Sequence, residues 1–169
     1  MDFEPDPYSV ATKIALDALS RRARSRGELA EILRKKLVPD EVAARLLDRL
    51  VAQKLIDDLA FAQEWTQQRH RSKGLSRRVL TQELRKKAIA PDLIDIALET
   101  ITRDDELYAA RELVAKKLRS LNRCEDDVKY RRLHGLLARK GYPANVIGEA
   151  IRDRKSTRLN SSHIPLSRM

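Results

Sequence analysis

The chain has 169 residues, 42% of them apolar and 36% charged, enough for one ordinary domain or a few small units. Its single cysteine, Cys124, excludes an internal disulfide and fits a reducing compartment. No stretch approaches the ~18 apolar residues of a membrane span, and the acidic start from Met1 to Tyr8 is unlike a basic signal region, so a cytoplasmic protein without a membrane role is expected.

The net charge of +10 is uneven. It is zero over residues 1–58, +1 over 59–106, +5 over 107–153 and +4 over 154–169. Basicity of this kind attracts nucleic acid or an acidic protein surface. Only 4% of residues are aromatic, so Leu, Ile, Val and Ala must fill the core, which suits helices.

After an N-terminal arm (1–9), the first predicted unit covers residues 10–56. Val10, Ile14 and Ala18, with Ala15 and Leu19, form a helical stripe. Ser25 and Glu28 have capping-box spacing ahead of a second helix whose apolar face is Leu29, Ile32 and Leu33. Val38-Pro39-Asp40 breaks it, and a third helix follows with Val42, Leu46 and Leu50. The second unit, 57–104, opens at Asp57-Asp58 and carries Phe61, Ala62 and Trp65 on its first helix. Ser72 to Ser76 breaks the pattern, and Leu93, Ala97 and Ile101 share a face after Pro91. The third unit, 105–153, places Leu107, Ala110, Val114, Leu118 and Leu121 at helical spacing. Its connection through Asn122 to Asp126 is longer than in the other units, and Val146, Ile147, Ala150 and Ile151 close it. Residues 154–169 lack periodicity and acidic residues. They are expected to be disordered and read like translated adaptor sequence rather than a native end.

These units repeat one another. Leu29, Leu80 and Leu133 align, as do Leu33, Leu84 and Leu137, and Lys36, Lys87 and Lys140. A helical period of about fifty residues predicts an all-α fold, an elongated array of three tandem three-helix repeats. Gly141 occupies the position expected of a helix-ending glycine, and Leu37 and Ala88 hold that place in the first two repeats. Trp65 and Tyr142 align with apolar residues and are expected in the core.

Catalytic and metal chemistry find no constellation. His70, His134 and His163 lie far apart, one cysteine cannot complete a thiolate cluster, and Lys73-Gly74-Leu75 reverses the order that a phosphate loop needs. No enzyme activity, cofactor or metal is expected. Asp57-Asp58 and Asp104-Asp105 stand before helix starts, where capping explains them.

The positive feature is basic. Arg22, Arg24 and Arg26 lie at the first helix break of repeat 1, and Arg69, Arg71, Lys73, Arg77 and Arg78 lie at the equivalent break of repeat 2. Lys129, Arg131 and Arg132 come near the break of repeat 3. Recurrence in register predicts a basic edge that contacts phosphates or carboxylates. Without interleaved aromatics, base stacking is not expected.

Three sets of residues carry a resemblance. Ile56-Asp57-Asp58-Leu59-Ala60-Phe61-Ala62, Arg69, Gly74 and Glu83 to Ile89 resemble the central signature of the bacterial regulatory RecX family. Arg24 to Leu29 resemble its first-unit motif, and Arg139 to Tyr142 with Val146-Ile147 its third. The similarity spans residues 10–153. The family often has glycine where this chain has Leu37 and Ala88. The resemblance implies a non-enzymatic negative regulator of RecA recombinase in homologous recombination, DNA repair and the SOS response. Such a protein binds RecA and its filament on single-stranded DNA. It inhibits ATP hydrolysis, strand exchange and coprotease activity. A monomer with weak nonspecific DNA affinity is expected. The competing reading of the residues is a direct, helix-turn-helix-like DNA-binding module.

Overall fold

The computed structural model describes the backbone of residues 6–160 and the side chains of residues 6–153. Nine helices and no strand are found among the described residues: α1 (Pro7–Arg21), α2 (Arg26–Lys35), α3 (Asp40–Ala52), α4 (Asp58–Lys73), α5 (Arg77–Lys86), α6 (Pro91–Leu98), α7 (Arg103–Arg119), α8 (Asp126–Arg139) and α9 (Ala144–Asn160). They fall in three consecutive groups of three, so the all-α, tandem three-helix reading holds.

By compactness the chain forms two units. One comprises the residues up to Thr66 together with Thr81–Thr100, and the other comprises Gln67–Leu80 together with the residues from Ile101 onward. The second repeat therefore contributes residues to both.

In the first unit α1, α2 and α3 enclose a core of Ala11, Ala15, Ala18, Leu29, Leu33, Leu46, Leu47 and Leu50. The inward stripe of α1 differs from the one expected. Ala11, Ala15 and Ala18 are buried, Val10 is exposed and Ile14 only half-buried. Alanines one position along let α1 approach its neighbours closely, and Val10 and Ile14 flank that contact. In α3, Leu47 joins Leu46 and Leu50 inside, and Val42 is partly buried. In the second unit α7, α8 and α9 enclose Leu107, Ala110, Val114, Leu121, Leu133, Leu137, Tyr142, Val146, Ile147, Ala150 and Ile151.

Local sequence explains the helix ends. The Ser25 hydroxyl accepts from the Glu28 amide at 3.1 Å, and the Glu28 carboxylate accepts from the Ser25 amide at 3.2 Å, completing the capping box. Thr102 and Asp105 form a second box at α7. At the C-termini of α2, α5 and α8, Leu37, Ala88 and Gly141 all take left-handed backbone, with φ of 60°, 56° and 87°. A shared turn thus outranks residue preference, because a left-handed L-residue costs roughly 1–2 kcal/mol.

Two boundary expectations change. α8 has 14 residues where α2 and α5 have 10 each. Part of the third-repeat insertion is therefore an extra helical turn at its start rather than loop alone. The tail expected to be disordered from residue 154 continues the backbone of α9 through Asn160. Residues 161–169 of that expectation, like residues 1–5 of the expected arm, lie outside the described residues.

Candidate functional site

The predicted basic residues divide by what their side chains do. The Arg22 guanidinium makes paired hydrogen bonds to Glu28 at 3.2 and 2.9 Å, which raise its pKa. Arg24 donates to the Ala18 carbonyl at 3.2 Å, and Arg26 pairs with Asp48 at 2.7 Å. All three cations of the first repeat are thus engaged in holding helix ends. At the second break, Arg77 donates to the Ile101 carbonyl at 3.0 Å and Arg69 is half-buried. Arg71, Lys73 and Arg78 are exposed, and their charged groups have no carboxylate partner among the described residues.

In the third repeat Lys129 pairs with Asp126 at 3.1 Å, and Arg131 and Arg132 are exposed. All three lie inside α8 rather than near a break, because α8 begins a turn earlier than the repeat register implies. Tyr130 stands between Lys129 and Arg131, half exposed, with its ring 6.0 Å from that of His134. This cluster therefore does interleave an aromatic with cations. A helix wheel drawn from Asp126 would have placed Tyr130 and His134 on one outer face.

Trp65 corrects another expectation. It lies at the edge of the core, half-buried, and its indole donates to Glu83 at 2.8 Å. The ring stacks on Phe61 at 5.9 Å, and the Lys87 ammonium sits 4.1 Å from the Trp65 centroid. That ammonium also pairs with Glu28 at 2.6 Å. Burial alone would raise the Glu28 carboxyl. Hydrogen bonds from Arg22, Lys87 and the Ser25 amide outweigh it and bring its pKa to about 2. Tyr142 is buried as expected, and its hydroxyl donates to the Gly74 carbonyl at 2.9 Å.

The acid pairs are structural. Asp57 accepts from the Ala60 amide at 2.9 Å, at the start of its own helix. Asp58 reaches back to the Arg26 amide at 2.8 Å, at the first turn of α2. Burial raises the Asp58 carboxyl above its ordinary range, and the Arg26 bond opposes that. In the second unit Glu106 likewise accepts from the Arg77 amide at 2.8 Å, at the first turn of α5. Asp58 and Glu106, near the starts of their repeats, thus each cap the second helix of the repeat before. Among the described residues no group of three His, Cys, Asp or Glu could hold a metal ion, and no helix is long and apolar enough to cross a membrane.

Comparison with known proteins agrees with this geometry. Family models for the first, second and third three-helix domains of RecX match residues 11–50, 57–98 and 104–151. A regulatory protein RecX of Streptomyces coelicolor is 43% identical over 147 residues, covering 87% of this chain and 78% of the relative. One from Mycobacterium avium is 42% identical over 149 residues, covering 88% and 86%. The crystal structure of RecX from Lactobacillus salivarius superposes with a TM-score of 0.78 at 22% identity, over 88% of this chain and 96% of that one. A second RecX crystal structure gives 0.79 at 25% identity, over 87% and 74%.

Proposed function

This chain belongs to the RecX family of regulatory proteins, and on that premise we propose that it is a non-enzymatic negative regulator of the RecA recombinase. It acts by binding RecA and the RecA filament on single-stranded DNA, slowing ATP hydrolysis, strand exchange and coprotease activity. The observation that carries this reading is the ordered set of three RecX domains with over 40% identity to named regulators across most of the chain. Arg71, Lys73 and Arg78 support it. They are the exposed cations of the predicted edge that have no carboxylate partner at a helix junction, and they are open to carboxylates or phosphates of a filament.

The test is single-strand-dependent ATP hydrolysis by the cognate RecA during titration with this protein. Inhibition is expected, and the combined reversal Arg71→Glu, Lys73→Glu, Arg78→Glu is expected to weaken it with helicity unchanged. Equal inhibition by the reversal variant would remove the basic edge, and no inhibition by the parent chain would remove the reading.

One observation favours a second reading, direct contact with nucleic acid. Lys129, Tyr130, Arg131 and Arg132 follow one another in α8, and the Tyr130 ring lies 6.0 Å from that of His134. The salt dependence of DNA binding without recombinase tests it. A steep, sequence-independent slope means backbone attraction alone.

A further inference from the structure

The fold contains the same joint twice. In the first unit the Ser25 hydroxyl donates to the Lys87 carbonyl at 2.7 Å. The next residue, Ala88, covers Gly27 so closely that a Cβ on Gly27 would lie 2.4 Å from the Ala88 Cβ. In the second unit the Ser76 amide donates to the Lys140 carbonyl at 3.0 Å. The next residue, Gly141, faces Ser76 and Val79, and a Cβ on it would lie 2.5 Å from the nearest atom of each. In both joints a lysine carbonyl and a left-handed residue after it form a knob. The knob fits the open first turn of a helix whose cap is serine. At the first joint the lysine ammonium also meets a glutamate three residues into that turn.

The third copy of the knob is Lys36-Leu37, at the end of α2. Leu37 has φ of 60° and is 89% exposed. Two unfavourable features coincide there, a left-handed branched residue and the most exposed large apolar side chain among the described residues. The Lys36 ammonium pairs with no acid among the described residues. Glycine would relieve the backbone, as it does at Gly141, so leucine is held there against local preference.

We propose that the Lys36-Leu37 turn is a docking knob for the first turn of a helix in a RecA protomer. The expected helix opens with a hydroxyl cap, has a small residue in its first turn, and carries an acid three residues after the cap. The first joint defines this occupant, and the second shares with it the lysine carbonyl and the left-handed residue on a serine-capped turn: Lys36 takes the acid and its carbonyl the cap, while Leu37 covers the small residue. No described helix of this chain offers a free first turn with all three features: α7 has the hydroxyl cap Thr102 and the acid Asp105, but Asp104 stands where the small residue would be. The first turns of α2 and α5 are filled by the chain's own knobs. In α8 the residue in register with Ser25 and Ser76 is Lys129, which lies inside the helix. The choice of RecA as the partner rests on the proposed function.

Leu37→Gly removes the knob's side chain and relieves its backbone. The variant should melt at a higher temperature than the parent. It should also require about tenfold more protein for half-inhibition of RecA ATP hydrolysis, the order expected from losing one buried leucine. Lys36→Glu, which leaves the turn intact, should weaken inhibition as well. Parent inhibition matched by both variants would overturn the knob and leave the regulator reading standing. No inhibition by the parent would overturn both. Parent self-association in sedimentation that is lost in Leu37→Gly would replace RecA with a second copy as occupant.

Discussion

Glu28→Gln isolates the charge at the first joint. Glutamine keeps the side-chain acceptor of the capping box, so the Ser25 amide stays bonded, but the pairing with Arg22 and Lys87 is lost. The fall of the Glu28 pKa from 4.5 to about 2 corresponds to about 3 kcal/mol of preferential stabilisation of the folded carboxylate. Arg22 is 46% exposed, so solvent screens its share, and a loss of about 2 kcal/mol is the expected result near neutral pH. Because the folded pKa lies below the unfolded one, this contribution is complete above about pH 4.5 and is lost as pH falls towards about 2. Trp65 is the sole tryptophan and contacts Lys87, so its fluorescence during urea unfolding reads this unit. Parent and variant should differ near neutral pH and converge in acid. A gap that does not change with pH would refute an electrostatic origin.

Gly27→Ala should cost about 1–3 kcal/mol by pressing a methyl on Ala88, and Ala88→Gly in the same chain should recover most of it. A double-mutant cycle from urea unfolding checks that coupling, and additive costs would deny the contact. Tyr142→Phe leaves the Gly74 carbonyl without its buried donor and should cost about 1–2 kcal/mol, read by circular dichroism during denaturation. Asp105→Ala removes the glutamate-like arm of the α7 capping box and should cost about 1 kcal/mol by the same measurement.

What was legible in the sequence was local or periodic. Ser25 and Glu28 announce their box by spacing, and the aligned leucines of α2, α5 and α8 are all buried. The aligned Leu37, Ala88 and Gly141 marked a common turn even though only one of them is glycine. On α1 the expected Ala15 and Ala18 are buried, but Ala11 replaces Val10 and Ile14 inside, because hydrophobicity ranks valine and isoleucine above alanine whereas close helix approach selects the smaller side chain. The role of Trp65 depends on Lys87 and Glu83, 22 and 18 positions along the sequence, and no pattern within α4 encodes that meeting. The basic edge was read from charge alone. Charge runs do not reveal that Arg22, Arg24 and Arg26 are occupied by a carboxylate, a carbonyl and a carboxylate in turn. The α8 cluster was misjudged because the insertion was assigned to loop, which hid the helical face shared by Tyr130 and His134.

Capping each second helix from the following repeat also sets a schedule for biosynthesis. The Ser25 hydroxyl finds its acceptor 62 residues later in the chain, at Lys87. At translation rates of 5–20 residues per second, that acceptor is made roughly 3–12 s after Ser25. The second repeat would wait similarly for Lys140. The first two repeats are each finished by the next, so the incomplete helix start moves towards the C-terminus as synthesis proceeds. The third repeat ends the wait, since α8 begins with its own added turn.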